Sequence, residues 1–145
     1  MNIIGIAIRT TNQNKQAEQD MTALWQQFFA EHILEKIPNK LNTHIVSIYT
    51  DYKSDYTGAY TAILGAEVNS LDTIPEGMVG RTFPEQKFQT FLAKGCMPGA
   101  VVTTWQSIWQ QDEQLNRAYT YDYELYTERA QNGEQSEVPI MIAIK

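Results

Sequence analysis

The order of elements repeats along this chain, and that repetition constrains its fold more than any other feature. The run from Asn2 to Thr10 carries Ile3, Ile4, Ile6 and Ile8 and reads as a strand. Ala17, Met21, Leu24, Trp25, Phe28, Phe29, Ile33 and Ile37 then recur at steps of three and four, which predicts an amphipathic helix capped near Asn14 and ended by Pro38-Asn39. Two strands follow, from about His44 to Thr50 and from about Tyr60 to Val68, joined by a polar, exposed loop over Asp51 to Gly58. In the second of these strands Tyr60, Ala62, Leu64, Ala66 and Val68 share one face by period two, and Glu67 is expected at solvent or an edge. Beyond a loop marked by Pro75-Glu76-Gly77, strands over Met78 to Phe83 and Lys87 to Ala93 flank a Pro84-Glu85 turn. Pro98 suits the first turn of a second helix, whose apolar face is Val101, Val102, Trp105, Ile108 and Trp109. A long Tyr-rich strand over Ala118 to Arg129, a hairpin-type turn at Asn132-Gly133 and a strand over Val138 to Ile144 close the chain.

The order is β-α-β-β, a linker strand, then β-α-β-β. Leu24-Trp25-Gln26-Gln27-Phe28-Phe29 lines up with Thr104-Trp105-Gln106-Ser107-Ile108-Trp109, 80 residues on. The half-modules, approximately 1–70 and 78–145, are each too small for an adequate core of their own. They are expected to share one sheet system. The predicted class is α+β: one domain over 1–145 with pseudo-twofold symmetry, a mostly antiparallel sheet, two principal helices and a ligand cleft between the modules.

Composition narrows the function. At 145 residues the chain is the size of one ordinary domain. Its net charge of −6 argues against direct nucleic-acid binding, which neutralises phosphates with Lys and Arg, and against an anionic membrane surface. The single cysteine, Cys96, allows no intramolecular disulfide and is expected to be a small apolar filler. The start, Met1-Asn2-Ile3-Ile4-Gly5, has no basic leader region, so a soluble, cytoplasmic protein is expected. No Gly-rich phosphate loop and no G-x-S-x-G elbow occurs, and His32 and His44 lack metal-ligand spacing. No cofactor and no metal are expected.

The most unusual stretch is Tyr119-Thr120-Tyr121-Asp122-Tyr123-Glu124-Leu125-Tyr126. As a strand it turns Tyr119, Tyr121, Tyr123 and Leu125 one way and Thr120, Asp122, Glu124 and Tyr126 the other. Two readings are open for Glu124. It sits on a solvated sheet face among tyrosines that are only good β-formers. Or it is a desolvated carboxylate beside aromatic rings, the arrangement that holds a lipophilic cation. Trp25, Phe28, Phe29, Trp105 and Trp109 at helical spacing are the usual material of a core, and tryptophans facing a cleft serve both purposes.

The segments around Gly58-Ala59-Tyr60 and from Lys87 to Pro98, the Trp105-x-x-x-Trp109 helix, and Tyr123-Glu124-Leu125-Tyr126 together resemble the GyrI-like effector-binding domains, which are also found in AraC-type and BmrR-type multidrug regulators. The likeness covers almost the whole chain and is strongest to the integron-associated effector-binding proteins. The resemblance implies a cleft in which Glu124 selects lipophilic cationic compounds, with Tyr126, Trp105, Trp109 and, more approximately, Tyr60 around it. The effector-type fold takes up all 145 residues, so direct transcriptional regulation is expected to need a partner that supplies DNA binding. The leading expectation is a non-enzymatic binding protein. The alternatives are a small-molecule hydrolase using Glu124 as general base and a protein-interaction role such as gyrase inhibition.

Overall fold

The computed structural model describes residues 1–145. Seven strands and four helices alternate as β1 (Asn2–Thr11), α1 (Gln16–Ala30), α2 (Ile33–Lys36), β2 (Ile45–Thr50), β3 (Ala59–Val68), β4 (Val79–Thr82), β5 (Lys87–Lys94), α3 (Gly99–Gln110), α4 (Asp112–Leu115), β6 (Tyr121–Tyr126) and β7 (Glu137–Ile144). All pairings in the sheet are antiparallel, in the order β4-β1-β3-β2-β6-β7-β5. Leaving out the linker strand β4, the order 1-3-2 meets 6-7-5 at the β2–β6 pair. Each element of the first half thus has its counterpart in the second, related by a rough twofold through that pair, as the duplicated sequence order predicts.

Period-two alternation sorts the strands into two faces. Ile4, Ile6, Leu64, Ala66 and Val68 pack beneath Leu24 and Phe28 of α1 and Ile33 of α2. Ala93, Val138, Ile140 and Ile142 pack beneath Val101 and Ile108 of α3 and Leu115 of α4. On the opposite face Ile3, Val46, Ile48 and Ile63 pack with Phe83 and Tyr121. Strands β4 and β5 are the two edges of the sheet, yet only the residues from Phe83 to Gln86 join them. From Thr82 to Lys87 the chain reaches at most about 18 Å, whereas seven strands laid flat at about 4.8 Å spacing span about 29 Å. The sheet therefore curls, with Phe83 on its inner side, 4.8 Å from the Tyr121 ring. Gly5 and Gly65 are directly paired within β1 and β3, and a Cβ on Gly65 would lie 2.0 Å from the Ile4 carbonyl oxygen, so only glycine fits this close approach.

Local geometry corrects several sequence expectations. The first helix breaks at Ala30, His32 takes a left-handed φ of 52°, and the continuation to Ile37 is the separate turn α2. Asn14 does not cap α1; it sits with φ 54° in the short 3-10 turn before it, and Lys15 holds the cap position. The Tyr-rich strand is confined to Tyr121–Tyr126, because Tyr119 has φ 56° and Thr127 caps a 3-10 turn over Glu128–Gln131. Tyr119 therefore does not share a strand face with Tyr121. Asn132-Gly133 opens a second 3-10 turn, not a tight two-residue hairpin. Cys96 is exposed and fills no core. Glu67 is half-buried on an internal strand, not at an edge. No helix is long and apolar enough to cross a membrane.

Candidate functional site

The flanking strands bury aliphatic side chains under the helices, whereas the two central strands add only the half-buried Ile45 there. On the helix-facing side β2 presents Ser47 and Tyr49, and β6 presents Asp122, Glu124 and Tyr126. Helix α1 covers β1 and β3 while α3 covers β5 and β7, so the strip over β2 and β6 lies between the two helices. A cavity of about 910 Å³ opens there, within the range of small-molecule sites. Glu124, Tyr126, Trp105, Trp109 and Tyr60 all line it.

Glu124 is 2% exposed, which removes the reading that placed it on a solvated sheet face. The face is polar in sequence but roofed by the module junction. Both carboxylate oxygens are engaged. Trp105 donates its Nε1–H to Oε2 at 2.6 Å, Tyr49 donates its hydroxyl to Oε2 at 3.0 Å, and Tyr126 donates to Oε1 at 2.6 Å. Ser47, directly opposite Glu124 across the β2–β6 ladder, donates to the Tyr49 oxygen at 3.1 Å and orients that hydroxyl. Glu124 takes part in none of the protein's ion pairs. Burial pushes its carboxyl up from the ordinary value, while the hydrogen bonds from Tyr126, Trp105 and Tyr49 pull it partly back. Burial and the neighbouring Glu124 charge push the Tyr49 and Tyr126 hydroxyls far up, so both stay neutral donors.

Aromatic rings form the walls. Trp25 meets Tyr126 edge-on at 4.9 Å, and Tyr49 meets Trp105 edge-on at 5.6 Å. Tyr56 stacks parallel to Trp109 at 5.9 Å. Tyr60 is buried beside Tyr49, with ring centroids 5.8 Å apart, and donates to Asn12 Oδ1 at 3.0 Å. The loop that carries Tyr52 and Tyr56 is tied to the first module: Asn12 donates to the Tyr56 carbonyl at 3.0 Å and Gln13 to the Thr57 carbonyl at 2.7 Å. Of the helix aromatics, Phe28 is core, Trp25 lines the cavity and Phe29 is largely exposed at its rim.

A second polar cluster borders the cavity. Asp122 is fully buried and accepts from Arg117 Nη2 at 2.8 Å, from the Tyr52 hydroxyl and from the Ala143 N–H at 2.8 Å. The last bond replaces a ladder bond, for β6 and β7 pair only at Tyr123–Met141 and Glu124–Ile140.

Sequence reasoning missed Tyr49, Tyr52, Tyr56, Trp25 as a cavity residue, and the Arg117–Asp122 pair. Alternation within β2 turns Tyr49 to the face away from Val46 and Ile48, but nothing local in the sequence sets the pairing of β2 with β6 in the register that puts Ser47 against Glu124. Asp122 had a signal, since it shares the face of Glu124.

A helix-covered antiparallel sheet, built as two β-α-β-β modules around an aromatic cavity, gives an α+β domain with the architecture of a small-molecule-binding module. The chain matches the family of integron-associated effector binding proteins, Cass2, over residues 1–144, and belongs to it. It is 28% identical to an integron cassette protein, VCH_CASS2, from the mobile metagenome of Vibrio cholerae, with a TM-score of 0.73, over 100% of this chain and 90% of the other. A proposed transcriptional regulator, YobU of Bacillus subtilis (strain 168), is 26% identical over 144 residues, 97% of this chain and 90% of its own. The structure of SAV2435 bound to tetraphenylphosphonium shares the fold at a TM-score of 0.81 and 18% identity, over 100% of this chain and 88% of the other.

Proposed function

We propose that this protein binds lipophilic cationic small molecules in the cavity between its modules, without chemical conversion, and that Glu124 is the counter-charge. The observation that carries the reading is the state of Glu124: a buried carboxylate held by three neutral donors, with no basic partner, on the floor of a cavity walled by rings. A buried charge without a counter-ion is costly. A lipophilic cation supplies that counter-ion and lays its apolar surface on Trp25, Tyr126, Trp105 and Trp109, each ring over a cation adding about 0.5–2 kcal/mol. The tetraphenylphosphonium bound to SAV2435 is a compound of this class, and supports the reading by likeness of fold. The hydrolytic alternative gains nothing from the geometry. Both oxygens of Glu124 already accept hydrogen bonds, leaving it poorly placed to take a proton from water.

Calorimetry on wild type and Glu124→Gln, with a lipophilic cation and a neutral compound of the same shape, tests this. The substitution is expected to weaken the cation about ten- to a hundredfold, the range for a hydrogen-bonded charge, and to leave the neutral compound nearly unchanged. Equal losses for both compounds would reduce Glu124 to a structural residue.

A further inference from the structure

Beside Glu124 the same strand face carries a second buried carboxylate, Asp122, and the chain supplies that one with its own cation. Two residues along a strand span about 6.7 Å; Glu124 lines the cavity, whereas Asp122 lies behind Arg117 and Tyr52, which bond to it and line the cavity in its place. Arg117 is 4% exposed and donates Nη2 to Asp122 at 2.8 Å and Nη1 to Asp112 at 3.3 Å. Its guanidinium carbon lies 4.3 Å from the centre of the Tyr119 ring and 5.9 Å from that of Tyr52. This is a carboxylate–cation–aromatic cage made of the protein's own residues. It borders the ligand cavity, since Tyr52 and Arg117 both stand in the cavity wall. The Arg117 Nε–H has no acceptor. The guanidinium is thus held by charge and ring faces, with its hydrogen-bonding capacity incompletely matched.

We infer that Arg117 is a specificity-determining residue: standing in the cavity wall, it neutralises a second anionic site at Asp122 just behind that wall and so restricts the cavity to ligands carrying one positive charge. The inference rests on the reading of Glu124 as counter-charge. A ligand with two cationic centres about 7 Å apart, matched to the Cα spacing of Asp122 and Glu124 along the strand, would press its second charge against the guanidinium. That charge would lose its hydration and meet a like charge instead of a partner. A neutral side chain at 117 would free Asp122, with Asp112 behind it, and the faces of Tyr52 and Tyr119 to hold a second ligand cation.

The test is calorimetric titration with a phenyl-bearing quaternary ammonium monocation and its bis-quaternary analogue, centres about 7 Å apart. Wild type, Arg117→Met and Arg117→Met/Asp122→Asn are compared. Wild type is expected to bind the monocation at least about tenfold more tightly than the dication. Arg117→Met should move that ratio by about tenfold or more toward the dication, and the double variant should restore the preference for the monocation. A wild type that takes both ligands equally well overturns the inference, and so does a folded Arg117→Met with an unchanged ratio. If Arg117→Met does not fold, the wild-type ratio decides by itself. Failure of the monocation to bind wild type would instead sink the reading of Glu124. A monocation that binds wild type and is lost in Glu124→Gln, with ratios that do not move, sinks only the role of Arg117.

Discussion

Asp122 and Glu124 stand two residues apart on one face of one strand, and both are buried. Their surroundings differ in kind. Asp122 has Arg117, the Tyr52 hydroxyl and the Ala143 amide, so its charge is balanced inside the fold and its oxygens are tied into the β6–β7 junction. Glu124 has three neutral donors and no cation. Burial alone therefore does not distinguish a structural carboxylate from the counter-charge proposed at Glu124. The unbalanced charge does. The contrast also follows from position: Asp122 lies where β7 diverges from β6, and Glu124 lies where the gap between α1 and α3 is open to the cavity.

The largest expected effect separates the two by stability. Asp122→Ala leaves buried Arg117 with only the longer 3.3 Å contact to the half-buried Asp112, and breaking such a buried pair costs about 3–5 kcal/mol. Glu124→Gln is expected to cost less than about 1 kcal/mol, because it relieves an unbalanced buried charge. Its amide oxygen keeps the bonds from Trp105 and Tyr49, and its NH2 donates to Tyr126, whose hydroxyl turns to accept. Urea unfolding of the two variants gives the comparison directly. If both lose equally, the charges are equivalent and the contrast is wrong.

Removing one donor sharpens it further. Trp105→Phe keeps a ring in the wall but deletes the Nε1–H that reaches Glu124 at 2.6 Å. A hydrogen bond to a charged group contributes about 1.5–3 kcal/mol, and this one favours the ionised carboxylate. The pH below which cation binding fades is therefore expected to move upward in Trp105→Phe. Cation titrations across the acid range check this. An unmoved pH dependence would mean that Trp105 serves only as a wall.

The pH dependence of the ligand-free protein follows from the raised Glu124 carboxyl, whose ordinary value is 4.5. Between the ordinary and the folded values the native state holds the proton and the unfolded state does not. The contribution of Glu124 to stability is thus fully present below the ordinary value and is lost as pH rises through the folded one. Relative to Glu124→Gln, wild type should gain stability as pH falls through that window, while its affinity for cations falls. Denaturation of both proteins at a series of pH values would break the argument if the difference between them stayed flat.

Much of this was legible in the sequence, and the limits have physical causes. Strict alternation in Tyr60–Val68 and the threefold and fourfold steps around Trp25 and Trp105 are local patterns, and they gave the element order and the duplication. The pairing of Tyr121–Tyr126 with β2 is not local. Alternation puts Asp122 and Glu124 on the polar face, and only the arrangement of two modules shows that the polar face is the covered one. The same holds for Tyr52 and Tyr56, which look like ordinary loop tyrosines until Asn12 and Gln13 fix the loop against the cavity. Tyr119 was misplaced because a single left-handed residue, φ 56°, removes it from the strand.

The smallest expected effect tests whether burial or pairing makes the Asp122 site costly to break. Asp51 pairs with Arg81 in a fork, at 2.6 and 3.1 Å, a geometry at least as good as that of Arg117 on Asp122. Hydrogen bonding to Arg81 holds the Asp51 carboxyl below its ordinary value. The side chains of this pair are 38% and 45% exposed, however, so water competes for both charges. Exposed pairs contribute about 0–1 kcal/mol. Asp51 has φ 52°, a conformation that Asn adopts readily, so Asp51→Asn removes the charge without backbone strain. Its cost should stay below about 1 kcal/mol and should shrink further in high salt. A loss comparable to that of Asp122→Ala would show that ion-pair geometry, and not desolvation of an unmatched partner, governs both sites.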